Sequence, residues 1–306
     1  MGEISKRTGE LGEEAAVRLL EKIGWSNGQQ NVSIPCNDTV KHPKRETHGI
    51  DYLKLYSCPL IQQRLVNAVV SVKAVTGPYE KYPNSKLKTH LKELSDICNC
   101  YDRSDAKGEA TEKFSDQAIE SESIIGVLVW LSGDASQLNR NLIKETTTAQ
   151  IDGIEDFQFE AAYLVDNKKA EFLWQILTHA DQIYQGWKFL YIETGLNYRE
   201  DIKRKSGAIL PVEYINGSII PLKCSKDGAE HIVLYSETSF SEEDLKKLVG
   251  LANKLSASFA NSIDILFPDY TVNGNENIVR QVLDFFQDEN TAKKIKIGSY
   301  HDKLIQ

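Results

Sequence analysis

Glu13, Asp51 and Lys73 are the residues whose types and positions could do chemistry. Each stands against its surroundings. Glu13 shares a helical face with Ala16, Val17 and Leu20, so it points toward the apolar side of its helix. A carboxylate there needs a partner or a metal ion; the plainer reading is a first-turn acid complementing the helix dipole. Asp51 follows Gly49-Ile50 inside a strand pattern, where aspartate is disfavoured unless it sits at an edge or a turn. Lys73 ends the run Val69-Val70-Ser71-Val72, and strand alternation puts Ser71 and Lys73 on one sheet face. Such a lysine is costly unless it is paired or snorkels out from the strand end.

The elements that must position these side chains can be read from periodicity. Ala16, Val17, Leu20 and Ile23 predict a helix over residues 8–24, with Gly24 as its stop. A polar stretch from Ser26 to Thr47 follows. Residues 49–56 and 66–75 read as strands, the second rich in β-branched residues. Leu87, Leu91, Leu94 and Ile97 predict a helix over 85–101. Residues 102–121 are polar and poor in aromatics, and read as a mobile loop. Further strands are expected at 123–131, 157–165, 187–193, 207–215, 218–223, 231–235 and 262–267. Helices are expected at 167–184, 241–258 and 275–289. Intermixed strands and helices make the class α/β (α+β). A boundary near 195–205, at a charged stretch, divides the chain into residues 1–198 and 199–306.

The order of these features resembles the PD-(D/E)xK nuclease superfamily, in its resolvase-like and Mrr-like branch. The matching residues are Gly12-Glu13 on a helix ending at Gly24-Trp25, then Gly49-Ile50-Asp51, then Val70-Ser71-Val72-Lys73. The likeness spans roughly residues 8–101. It implies a restriction-endonuclease-like core, with a mixed sheet flanked by helices, followed by a C-terminal α/β extension. It also implies a metal-dependent endonuclease using Mg²⁺ or Mn²⁺. Glu13, Asp51 and the Val72 backbone carbonyl would be ligands, with Lys73 orienting or deprotonating the attacking water. One position departs from the pattern: Ser71 stands where the family carries a carboxylate. Either an acid migrates in (Glu80 and Glu93 are nearby), or Glu13 and Asp51 suffice or are completed by a partner or substrate, or the site only binds nucleic acid.

Lysines and one arginine near these motifs, Lys44, Arg45, Lys86, Lys88 and Lys92, are candidate phosphate contacts, and equally a solvated surface. Tyr79 and Tyr82 are candidates for stacking on bases. The formal net charge of -8 argues against a generic nucleic-acid binder, but it is unevenly spread. Residues 1–120 hold 17 basic and 17 acidic side chains, whereas residues 121–306 hold 19 and 27. The acidic part suits solubility or a protein partner. The whole chain resembles the nuclease subunit of a two-gene, GAPS-type anti-phage defence system. That likeness implies a partner protein encoded by a neighbouring gene, and homo-oligomers are compatible with it; DNA is the expected substrate, with RNA cleavage as a toxin the alternative.

Other classes are disfavoured. No phosphate-binding glycine loop is present. No apolar run approaches the roughly 18 residues that span a bilayer, and the first residues lack the apolar region of a secretory signal. A cytoplasmic location and no membrane partner are therefore expected. The five cysteines (36, 58, 98, 100 and 224) are odd in number and scattered, and Cys98 and Cys100 form C-x-C rather than C-x-x-C. They read as reduced, structural thiols.

Overall fold

A computed structural model describes residues 2–42, 45–149, 159–197, 205–226, 228–256, 260, 262–286 and 294–301. The chain separates into two compact units. The first comprises Met1–Glu171, Thr194–Tyr198 and Pro211–Asn216; the second comprises Phe172–Glu193, Arg199–Leu210 and Gly217–Gln306. The boundary expected between residues 198 and 199 lies outside the described residues.

The first unit is built on helix α1 (Gly2–Lys22) and strands β1 (Gln29–Pro35), β2 (Thr47–Ser57) and β3 (Arg64–Val75). Helices α2 (Asn84–Asp102) and α3 (Asp105–Glu112) and strands β4 (Ser121–Ser132) and β5 (Ala161–Val165) follow, with the short helix α4 (Leu142–Glu145) between the last two. The sheet order is β1-β2-β3-β4-β5. β1, β2 and β3 are antiparallel, and β3, β4 and β5 are parallel. β3 is the central strand and is buried along most of its length. This is the mixed α/β sheet flanked by helices that the sequence predicts.

Local chemistry explains the ends of α1. Its C-terminus closes as a Schellman motif: Gly24 adopts φ 83°, its N–H donates to Glu21 O, and Trp25 N–H donates to Leu20 O. Trp25 is then fully buried beside the Tyr56 ring, and its carbonyl accepts the Tyr52 hydroxyl. Leu87, Leu91, Leu94 and Ile97 of α2 join Val69, Leu128 and Trp130 in one core.

Four expectations are corrected. The 102–121 segment contains α3, because Ser104 caps it through Lys107 N–H and Lys107 pairs with Asp102 and Glu122. The polar stretch before Thr47 contains edge strand β1, in which Ile34 alone is fully buried. The strand expected at 207–215 is instead a two-residue strand, β7 (Ser206–Gly207), and helix α6 (Val212–Ile215). Pro211 caps the start of α6, and proline has no N–H to offer a ladder. Tyr79 is core rather than a stacking surface: its hydroxyl donates to Trp130 O at 2.7 Å, and it is 4% exposed. Tyr82 is exposed.

The second unit carries helix α5 (Asn167–Ile183) from Phe172 onward, strand β6 (Lys188–Leu190), β7, β8 (Ile219–Lys226) and β9 (Ala229–Ser236). Helix α7 (Glu242–Ser256), β10 (Ser262–Phe267), helix α8 (Val272–Phe285) and β11 (Ile295–Ser299) complete it. Its sheet order is β11-β10-β9-β8-β6-β7. Among the described residues, no helix is long and apolar enough to cross a membrane.

Candidate active site

The sheet opens at Asp51. The β2–β3 ladder runs from Tyr52 opposite Val70 to Ser57 opposite Leu65, so Asp51 is the first residue beyond the pairing. Its carboxylate takes the place of a main-chain acceptor: Oδ2 accepts the Val72 N–H at 2.6 Å. On the other flank, Gln30 pairs with Tyr52 and Val32 with Ile50. Asn31, between them at φ 51°, drops out of the ladder. Burial pushes the Asp51 pKa up. The Val72 N–H, the Lys73 charge and a Ser71 hydrogen bond pull it down, and burial prevails.

Glu13 comes to this opening because α1 runs against β3 without a side chain at Gly12. A Cβ on Gly12 would stand 2.2 Å from Ala74 Cβ. The next residue, Glu13, has its pKa raised by burial first, then by the negative charge of Asp51, then by Glu10. Glu10, Glu13, Glu14, Val17, Arg18, Gln30, Asn31 and Asp51 line one open cleft of about 530 Å³. Two part-buried acids whose charges oppose each other form a donor set for a hard divalent cation, which takes carboxylate and neutral oxygens. Burial and mutual repulsion that raise these pKa values in the metal-free protein are the penalty a cation would remove.

Lys73 lies close enough for its charge to act on Asp51. Its Nζ bonds Glu93 Oε2 of α2 at 2.8 Å. Burial pushes Glu93 up, but the Lys73 hydrogen bond and charge, with His90 and Arg45, hold it below the usual range. Arg45 reaches Glu93 at 3.9 Å. His90 falls to about 4 through burial and the charges of Lys73 and Lys86, so it is neutral. Sequence reasoning placed Glu93 near the site but had no signal for its pairing with Lys73. Glu80 is exposed, and its carbonyl is held by Arg140.

Ser71 is buried next to Asp51, and its hydroxyl helps hold the Asp51 pKa down. The basic residues separate. Lys86 shares the helical face of His90 and Glu93, whereas Lys88 and Lys92, one turn apart, share another, and all three are exposed. Lys44 lies outside the described residues.

A helix delivering Glu13, a strand delivering Asp51 where its pairing with the central strand stops, and that central strand delivering Lys73 are the arrangement of the PD-(D/E)xK nuclease class. Residues 1–169 match the family model of the GAPS4 protein PD-(D/E)XK nuclease domain, and the chain belongs to that family. The matched segment coincides with the long first stretch of the first unit, Met1–Glu171. No curated protein and no solved structure matches the chain.

Proposed function

We propose that the chain hydrolyses phosphodiester bonds of DNA with a divalent cation, Mg²⁺ or Mn²⁺, and acts in anti-phage defence together with a protein encoded by a neighbouring gene. The observation that carries the reading is the convergence of Glu13 and Asp51 on one open cleft beside Lys73. Glu13, Asp51 and the Val72 carbonyl hold the cation. When bound, such an ion neutralises charge on the scissile phosphate and lowers the pKa of water. The Val72 N–H anchors the Asp51 carboxylate, so the acid is pre-aimed. Lys73 offers its ammonium to the phosphate oxygen or to the attacking water. Glu93 keeps that ammonium in place and is a positioning residue. Arg45, Lys44, Lys86, Lys88 and Lys92 contact backbone phosphates without reading bases.

A second reading is a nucleic-acid-binding or scaffold subunit without turnover. Ser71 in the carboxylate position and the engagement of Lys73 by Glu93 favour it. One experiment separates the two. The chain, alone and with its neighbour's product, is incubated with DNA and RNA in Mg²⁺, Mn²⁺ or chelator. Asp51→Ala and Lys73→Ala serve as controls. Cleavage of DNA that needs the cation and disappears in both variants is expected. Undiminished cleavage in both folded variants would defeat the proposal. Binding without turnover in every condition supports the scaffold, and cleavage of RNA alone reassigns the substrate to a toxin-like activity.

A further inference from the structure

The second cluster of metal-ligating side chains lies apart from the acidic cleft. Cys36 directly follows β1, His42 lies in the β1–β2 connection, His48 is on β2 opposite Ile34, and Cys100 is near the end of α2. One ligand atom from each of the four lies within 4.8 Å of all the others. Cys36 Sγ is 3.4 Å, and Cys100 Sγ 3.7 Å, from His42 Nδ1. Zinc bonds of about 2.3 Å to sulfur and about 2.0–2.1 Å to nitrogen set neighbouring ligand atoms in a tetrahedron roughly 3.3–3.8 Å apart. The two measured spacings fall in that range.

Hydrogen bonding alone does not satisfy the cluster. His42 Nδ1 has one lone pair or one proton to share between two thiols. His48 is 2% exposed, and neither of its ring nitrogens has a hydrogen-bond partner among the described residues. Leaving such atoms unpaired in the interior is costly, and a cation at the centre would engage all four residues at once. The outer shell is also in place. His42 Nε2 lies 3.1 Å from Asp96 Oδ1, the carboxylate–histidine arrangement that orients a metal-binding imidazole. Asn37 Nδ2 donates to Cys100 O and Arg103 O, and Cys36 N–H donates to Glu46 O, so the loop is already tied to α2 and to the start of β2.

We propose that Cys36, His42, His48 and Cys100 form a structural zinc site. Two thiolates and two imidazoles are soft to intermediate donors that select zinc, in contrast to the oxygen donors of the Glu13–Asp51 cleft. Four protein ligands, three of them buried, leave no open position for substrate. The ion would clamp the β1–β2 connection, which carries Arg45, and the segment of β2 leading to Asp51 onto α2, which carries Glu93. The five cysteines, taken from the sequence as structural thiols, would then divide into two ligands and three others. The spacing Cys36-x5-His42-x5-His48 has no knuckle pattern, and only the fold brings Cys100 to it.

The test uses the full-length, tag-free chain purified under reducing conditions. Elemental analysis and native mass spectrometry should find close to one zinc per chain. Asp51→Ala should retain it, and Cys36→Ser and Cys100→Ser should lose most of it. Replacement by Co²⁺ should give the visible d–d bands of a tetrahedral ion together with thiolate-to-cobalt charge transfer. That spectrum and the wild-type stoichiometry decide the matter even where the serine variants fail to fold. A wild-type chain that carries no zinc and takes up neither Zn²⁺ nor Co²⁺ overturns the proposal. So does a Cys36–Cys100 disulfide in the mass spectrum, or zinc that leaves with Asp51→Ala. Nuclease activity is not the readout, so the result stands apart from the proposed function.

Discussion

Gly12→Ala tests whether the approach of α1 to β3 sets the site. In a free helix the substitution is favourable by roughly 1 kcal/mol, because alanine loses less backbone entropy than glycine. Here the added Cβ would stand 2.2 Å from Ala74 Cβ, while ordinary contact begins near 3.4 Å. The helix must therefore retreat by more than 1 Å, or β3 must bend. Overpacking of that kind costs about 1–3 kcal/mol, enough to cancel the propensity gain and make the net change destabilising. The functional effect should be larger than the stability effect. Glu13 is the next residue, and a displacement of about 1 Å in a catalytic group can cost on the order of 100-fold in rate. Urea denaturation and initial cleavage rates would be measured on Gly12→Ala, Ala74→Gly and the double variant. Coupling is expected, with the double variant recovering stability and rate relative to the sum of the singles. If Gly12→Ala is more stable than the parent and cleaves as fast, the close approach does not position Glu13 and the account is wrong.

Three further outcomes are expected. Glu13→Gln should leave metal-free stability unchanged or raised, since burial and Asp51 disfavour the ionised acid in the folded state; calorimetric titration should show Mn²⁺ binding lost, and unchanged binding would remove Glu13 from the donor set. Glu93→Gln should shift the melting midpoint little, because a part-exposed pair is worth about 1 kcal/mol or less, yet lower kcat by roughly tenfold, a loss of ~1.4 kcal/mol in transition-state stabilisation; a kcat equal to the parent's would show that Lys73 needs no positioning. In the second unit, burial pushes Asp264 up, but the hydrogen bond and charge of His231, the Tyr184 hydroxyl and Lys226 hold it below its usual value. A depressed acid contributes stability above its unfolded pKa, near 3.9, that is lost as pH falls through the lower folded value, so Asp264→Asn should flatten the acid limb of the stability curve below about pH 4, and an unaltered limb would refute that assignment.

The long periodic elements of the first unit were legible because their patterns are dictated by burial. Leu87, Leu91, Leu94 and Ile97 all face the core, and Val66, Val69 and Val70 sit in a central strand buried on both faces. Glu13 and Asp51 were legible for the opposite reason, as charged residues in apolar patterns. What could not be read depends on tertiary context. β1 is an edge strand with a left-handed Asn31, so its alternation is broken where it matters. α3 is held by a serine cap and ion pairs rather than by an apolar stripe. Tyr79 sits among lysines in sequence, but its hydroxyl is drawn into the core by Asn167 and Trp130. The pairing of Lys73 with Glu93 joins a strand to a helix, and no local pattern encodes it.

Ser71 gives the departure from the family pattern a physical meaning. A carboxylate at this buried position would stand within hydrogen-bond reach of Asp51, whose own charge already suffers from burial. Serine instead favours the ionised form of Asp51. The missing negative charge reappears on the far side of Lys73, where Glu93 holds the ammonium from α2. The local charge around Lys73 is thus preserved, while in the proposed cation site the number of anionic ligands would fall from three to two. Weaker cation affinity with an intact Asp51 geometry follows from that exchange, and Ser71→Ala should therefore impair cation binding through Asp51 rather than through loss of a ligand. Raising the cation concentration would then restore much of the cleavage in Ser71→Ala and none of it in Asp51→Ala. Equal failure of the two variants at saturating cation would make Ser71 a ligand in its own right.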